Sequence, residues 1–143
     1  MPSQECVFCK IIQGSFKAHV VYEDEKVMAF MDRRQANPGN FLVVSKEHIE
    51  DIYALPPDVG AAIMESLIRI ARAVKAVSHC EGLSIWQNNG KAAGQEAPHI
   101  HFRIQTRKLD DGLIRLYPSK PPYPTDEELQ AYAQQIRQEL EGR

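Results

Sequence analysis

The chain is poor in several features that other protein classes need. No charge-poor apolar run approaches the roughly 20 residues that span a bilayer, and the N-terminal MPSQECVFCK has no signal-peptide core. Both absences point to a cytoplasmic protein. Lys and Arg number 17 against 19 Asp and Glu, giving a net charge of -2. That balance argues against bulk binding of nucleic acid, which needs surplus cations to neutralise a run of phosphates, yet it permits a small basic pocket. There is no internal repeat and no low-complexity segment. What remains, 43% apolar and 25% charged residues in a chain of 143, has the make-up of one globular domain, or one domain with an appendage.

Cysteine is scarce and odd in number, at three. Cys6 and Cys9 form a C-x-x-C, which in a reducing compartment reads as half a zinc site or a redox pair. A thioredoxin-like motif sits where a strand meets a helix, whereas this one precedes only a short apolar piece, Ile11-Ile12, so redox is the weaker reading. Cys80, after a helical stretch, reads as a small buried hydrophobe.

The richest segment runs from Asn88 to Gln105, NNGKAAGQEAPHIHFRIQ. From His99 onward polar and apolar residues alternate, so a half-buried strand would present His99, His101, Arg103 and Gln105 on one face, about 7 Å apart. Backbone N-H groups around Gly90 and Gly94 can approach an anion, Arg103 offers a forked cation, and a neutral imidazole can act as nucleophile or base. A surface strand with incidental histidines is the plainer alternative.

Upstream, Val20 to Glu23 and Val27 to Asp32 predict a hairpin around Asp24-Glu25-Lys26. Asn37-Pro38-Gly39 marks a turn before a central strand at Phe41 to Ser45. Val59, Ile63, Leu67, Ile70, Val74 and Val77 recur at steps of three and four, predicting an amphipathic helix from Pro57 to His79. Leu83 to Gln87 and His99 to Gln105 complete five strands. Pro118 to Pro124 reads as a stiff linker. Thr125-Asp126-Glu127-Glu128 opens a helix with a capping-box pattern and an apolar face of Leu129, Tyr132, Ala133, Ile136 and Leu140. That face needs a surface, in its own chain or in a partner subunit.

Taken together, Cys-Val-Phe-Cys-Lys-Ile-Ile, Tyr22-Glu23-Asp24, Ala29-Phe30-Met31-Asp32, Ser45-Lys46-Glu47-His48, Asn88-Asn89-Gly90, Ala93-Gly94-Gln95 and Pro98-His99-Ile100-His101 resemble the histidine triad (HIT) proteins of the bacterial, zinc-bearing type. The resemblance covers about residues 5 to 108. It implies an α+β, HIT-like fold: a five-stranded antiparallel sheet with one long helix and a C-terminal helix. The expected division is 1–108 for the HIT domain and 109–143 for the Pro-rich linker and the helix, which would pack on the domain or on a partner subunit of a homodimer.

The resemblance also implies chemistry. His101 would be the nucleophile that attacks the α-phosphorus of a purine nucleotide, forming a nucleotidyl-histidine that water hydrolyses. Where the family carries its third histidine this chain has Arg103, which can offset phosphate charge but cannot shuttle a proton. Glu96 is a second departure, standing where many members carry a small hydroxyl residue; it would repel an anion or pair with Arg103. Asp32 matches the carboxylate that accepts the ribose hydroxyls, or is simply a turn acid. Phe8 and Ile11 match the base pocket, or are core. Asn88, Gly94 and Gln95 match the nucleotide loop, or only shape a turn. In the zinc-bearing members the two cysteines are completed by the counterparts of His48 and His99, a closed and therefore structural zinc site; the alternative is a pair of buried thiols with His48 bonded to His99. His19 and His79 match no motif and read as exposed or helix-end residues.

Three functions are therefore in play: a hydrolase or nucleotidyl transferase acting on phosphoanhydride or phosphoramidate bonds, a nucleotide-binding or sensing protein with little turnover because the third histidine is missing, and a zinc-clipped interaction module that binds no nucleotide.

Overall fold

The structure is a computed structural model and describes residues 3–113, 117 and 119–143. Five strands, Val20–Glu23 (β1), Val27–Met31 (β2), Asn40–Ser45 (β3), Gly82–Trp86 (β4) and His101–Arg107 (β5), form one antiparallel sheet in the order β1-β2-β3-β5-β4. The helices are Val7–Ile12 (α1), Pro57–Ser78 (α2) and Asp126–Glu141 (α3). This is the α+β architecture expected, with one addition: α1 is too short to show helical periodicity in the sequence, and its start is set by Cys6, whose sulfur accepts the Cys9 N-H at the N-cap.

Strand alternation divides the apolar residues between two cores. Val27, Ala29, Phe41, Val43 and Ile104 face Val59, Ile63, Leu67, Ile70 and Val74 of α2. On the other face Met28, Phe30, Leu42 and Val44 meet Cys6, Phe8 and Cys9 of the α1 segment. Strand β3 is buried along its whole length because both faces are covered.

The turns use the chemistry that the sequence suggests. Asp24 Oδ1 accepts N-H bonds from Lys26 and Val27, each at 2.8 Å, closing the β1–β2 hairpin. Pro57 lies in the first turn of α2, and His79 ends that helix in the left-handed region at φ 53°. Gly39 enters β3 at φ +117° with its α-carbon against Thr106.

Several expectations need correction. Val77 is 82% exposed, because it lies in the last turn of α2 at the rim of an apolar groove of about 530 Å³ shared with Val21, Phe41 and Ile70. Cys80 is half-buried and follows the left-handed turn, so it is not a core residue. The strand expected from His99 to Gln105 instead starts at His101 and runs to Arg107, because the N-H of His99 bonds Ala97 O and that of Ile100 bonds Ile49 O, which draws both residues off the ladder. Strand β4 likewise begins one residue earlier than its apolar run.

The chain divides into two compact units, Met1–Asp111 and Gly112–Arg143. In the second, Thr125 and Glu128 form the expected capping box of α3, and Leu129, Tyr132, Ile136 and Leu140 are exposed. Of the Pro118–Pro124 linker, Pro118 lies outside the described residues, and 119–124 contain neither helix nor strand.

Gly39 supplies a direct test of this packing. A Cβ there would overlap the Thr106 side chain, on a backbone that L-residues rarely adopt. Gly39→Ala should cost on the order of 2 kcal/mol, read as a lowered urea midpoint at unchanged m-value.

Candidate functional site

The site is assembled around His99, which is completely buried between the end of β3 and the α1 segment. Its Nε2-H donates to the Ser45 carbonyl at 2.7 Å, which fixes the tautomer and turns the Nδ1 lone pair toward Cys6 Sγ at 3.3 Å and Cys9 Sγ at 3.6 Å. Burial pushes the His99 imidazole down to about 4, so it is neutral. His48, on the segment leaving β3, places Nδ1 3.2 Å from Cys9 Sγ. Its ring meets that of His99 edge-on, with centroids 5.1 Å apart. Burial raises the Cys6 thiol. The sulfur and nitrogen donors of Cys6, Cys9, His48 and His99 all lie within 4.8 Å of one another.

That donor set fits a tetrahedral zinc ion. Zinc–sulfur bonds of about 2.3 Å and zinc–nitrogen bonds of about 2.0–2.1 Å put ligand atoms roughly 3.3–3.8 Å apart, and the sulfur–nitrogen separations given above lie close to that range. A helix turn explains the C-x-x-C spacing: residues three apart share one side of α1. The His99–Ser45 hydrogen bond is the kind of support that orients a ligating imidazole.

The carbonyl of His99 extends this arrangement to His101. It accepts the His101 Nδ1-H at 2.8 Å, so the lone pair of that ring is on Nε2, which no group among the described residues bonds. Burial lowers the His101 imidazole, against smaller opposing effects of the His99 carbonyl, Glu96 and Asp32. The ring of Phe8 packs on it with centroids 5.0 Å apart.

Register places the remaining groups. Phe30, Leu42, Arg103 and Trp86 lie in one row across β2, β3, β5 and β4, while Met28, Val44 and His101 form the neighbouring row. Arg103 lies over the Trp86 ring, 5.7 Å from its centroid. Its guanidinium forms an ion pair with Asp32 Oδ2, and the side chains are only 18% and 7% exposed. Glu96 is exposed, so the partner of Arg103 is Asp32.

The glycine-bearing loop does not offer its N-H groups in the expected way. Gly90 N-H donates to Gln95 Oε1 at 2.7 Å and Gly94 N-H to Lys91 O at 3.0 Å, while both glycines hold φ +85°. Gln95 also donates to Glu50 O at 2.7 Å and Ala97 O at 3.1 Å, stapling the loop to the segment that carries His48. Asn88 lies beside Gly94, where a Cβ would come 3.7 Å from its Nδ2.

A cleft of about 760 Å³ opens on this side of the sheet. Phe8, Ile11, Phe30 and Leu42 form apolar wall, Asp32 lies in it, and Lys17, His19, Arg33 and Arg34 line it as well. The volume suits a small organic ligand. Sequence reasoning passed over the four basic side chains; the only signal was the Arg-Arg pair directly after Asp32, since the approach of Lys17 and His19 comes from strand pairing.

Against this geometry the similarities are specific. The HIT domain matches residues 13–109, and the chain belongs to the HIT family. It is 41% identical over 109 residues to an uncharacterized HIT-like protein of Methanocaldococcus jannaschii, covering 76% of this chain and 84% of that one. It is 30% identical over 136 residues to the adenosine 5'-monophosphoramidase of Schizosaccharomyces pombe, covering 94% and 98%. Among solved structures, that of a HIT family protein from Bacillus anthracis superposes with a TM-score of 0.88 at 38% identity, covering 96% of this chain and 98% of that one.

The Asp32–Arg103 pair can be weighed by a double-mutant cycle. Asp32→Asn strands a largely buried guanidinium and should cost on the order of 3 kcal/mol. Adding Arg103→Met should recover most of that loss in urea unfolding, because a buried pair replaced as a unit is close to neutral.

Proposed function

We propose that the protein is a nucleotide hydrolase or nucleotidyl transferase acting on phosphoanhydride or phosphoramidate bonds of purine nucleotides. The observation that carries the reading is the hydrogen bond from His101 Nδ1-H to the His99 carbonyl, which in the neutral ring that burial favours leaves Nε2 unprotonated. In this reading Nε2 attacks the α-phosphorus, the bond to the leaving group breaks with its electron pair, and a phosphorus–nitrogen bond forms. Water then cleaves that bond and frees the nucleoside monophosphate. Phe8 and Ile11 hold the base, Asp32 meets the ribose, and Asn88, Gly94 and Gln95 shape the nucleotide loop. Arg103 replaces the third triad histidine and offsets phosphate charge. The phosphoramidase activity in the name of the S. pombe relative is of this reaction class.

A second reading, nucleotide binding or sensing with little turnover, is favoured by one observation. Arg103 is held by Asp32 and carries no transferable proton, so the leaving group has no acid at that position.

We further propose a structural zinc held by Cys6, Cys9, His48 and His99. Bound there, the ion supplies no catalysis and ties α1, the end of β3 and the lead into β5 together. A homodimer is also part of the proposal, supported by the exposed apolar face of α3, which would pack on the domain or on the partner subunit. Cytoplasmic residence accords with two reduced thiols in the cluster.

Two measurements test these assignments. Elemental analysis should find about one zinc per chain, and its removal by a strong chelator should lower the melting temperature by several degrees. Metal that washes out with no change in melting would overturn the zinc site. For the chemistry, His101→Ala should abolish covalent labelling by a radiolabelled purine nucleotide while retaining affinity. Arg103→His should raise the single-turnover rate about tenfold if a positioned acid is what the site lacks. Labelling that persists without His101 rejects the nucleophile.

A further inference from the structure

We infer that the cleft takes a purine nucleotide carrying a second phosphate on the 2' or 3' oxygen of its ribose, bound by Arg33 and Arg34. The inference rests on the nucleotide reading above and concerns the ribose end of the same site. It starts from Asp32, whose carboxylate is already engaged. Oδ1 accepts the Arg34 N-H at 2.9 Å and lies 3.8 Å from Arg34 Nε, and Oδ2 is paired with Arg103. A free carboxylate at the ribose selects hydroxyls and repels a phosphate, whereas a nearby arginine accommodates one. Here the carboxylate is compensated, which removes the repulsion.

The charge around it has the sign an anion requires. Although the chain carries -2 overall, Lys17, Arg33 and Arg34 line the cleft against the single carboxylate of Asp32. Among the described residues neither Lys17 nor Arg33 has an ion-pair partner. These cations therefore do not serve to hold the fold together.

The loop that bears the arginines is rigidly built. Gln35 Nε2 donates to Asp32 O at 2.6 Å and Asn40 O at 2.8 Å, while its Oε1 accepts the Gly39 N-H at 2.8 Å. Asn40 Nδ2 donates to Arg34 O at 2.9 Å. Both backbone ends of the Arg33-Arg34 pair are thus fixed, which limits the ordering cost of binding an anion. Position favours the ribose over the leaving group: Asp32 N-H bonds Asn40 O, and Asn40 pairs with Gln105, so this loop begins two strand residues past Arg103 and four past His101. A forked guanidinium there matches a phosphomonoester bidentately.

Calorimetric titration of the intact chain with AMP, ADP, adenosine 2',5'-bisphosphate and adenosine 3',5'-bisphosphate decides the matter. One bisphosphate should bind about tenfold tighter than AMP and tighter than ADP, an advantage that shrinks with salt. Whichever isomer wins identifies the oxygen. In Arg33→Ala/Arg34→Ala the ratio of bisphosphate to AMP affinity should fall close to one. If ADP matches the better bisphosphate, the added charge is read on the 5' side and the proposal is overturned. It is equally overturned if AMP binds as tightly as the better bisphosphate, or if the ratio survives the double substitution; in all three cases AMP binding leaves the nucleotide reading standing. If none of the four binds, that reading falls and this inference falls with it.

Discussion

The hydrogen bond from His99 Nε2-H to the Ser45 carbonyl is the contact on which the rest of the site depends. A buried imidazole has two nitrogens to satisfy, and this bond settles which one keeps the proton. Nδ1 is then free to face the two sulfurs, and the main chain of His99 is held where its carbonyl meets His101. One carbonyl on β3 thus orders two tautomers in succession, the first facing thiols and the second leaving Nε2 open. The arrangement is possible because His99 and Ile100 leave the ladder, Ile100 bonding Ile49 instead.

The Asp32–Arg103 pair imposes the second constraint, and it works against the first in function. In the proposed reaction His101 attacks phosphorus, an event that builds charge on oxygen and on a departing group. The nearest permanent cation on the same face is committed to a carboxylate. For a phosphate to recruit the guanidinium, it must share or displace that carboxylate in a largely buried setting, where pairing is strong and exchange is costly. Binding energy spent on that exchange is not available to the transition state.

Much of this was legible in the sequence, and the limits have physical causes. Turn-bounded apolar runs located β1 to β4, alternation located β5 and period 3.6 located α2, because burial of one face or of a whole strand leaves its mark on the apolar pattern. The grouping of Cys6, Cys9, His48 and His99 is what the family resemblance implies, and the structure brings their ligand atoms within 4.8 Å of one another. Alternation failed at His99, since hydrophobic pattern reports which face is buried and says nothing of where ladder hydrogen bonds stop. The helix at Val7–Ile12 was missed for a related reason: six residues are too few for a period, and a cysteine cap is not a usual start signal. The free glycine amides were misread because the sequence shows conformational freedom but not the Gln95 side chain that consumes one of them. Pairing between Asp32 and Arg103, 71 positions apart, has no local trace at all.

The net charge leaves room for a small basic pocket, and that last contact helps to make one. A net of -2 suggests an indifferent surface, yet the cleft is locally cationic because its one carboxylate is neutralised from across the sheet. Summed charge averages over distances much longer than the roughly 8 Å at which exposed charges are screened under physiological salt. Recognition of a small anion depends on the handful of groups inside that radius. Here those groups come from three places in the chain: the approach to β1, the turn after β2 and the strand β5. The fold, by pairing β2 with β3 and β3 with β5, converts scattered and individually unremarkable basic residues into one field.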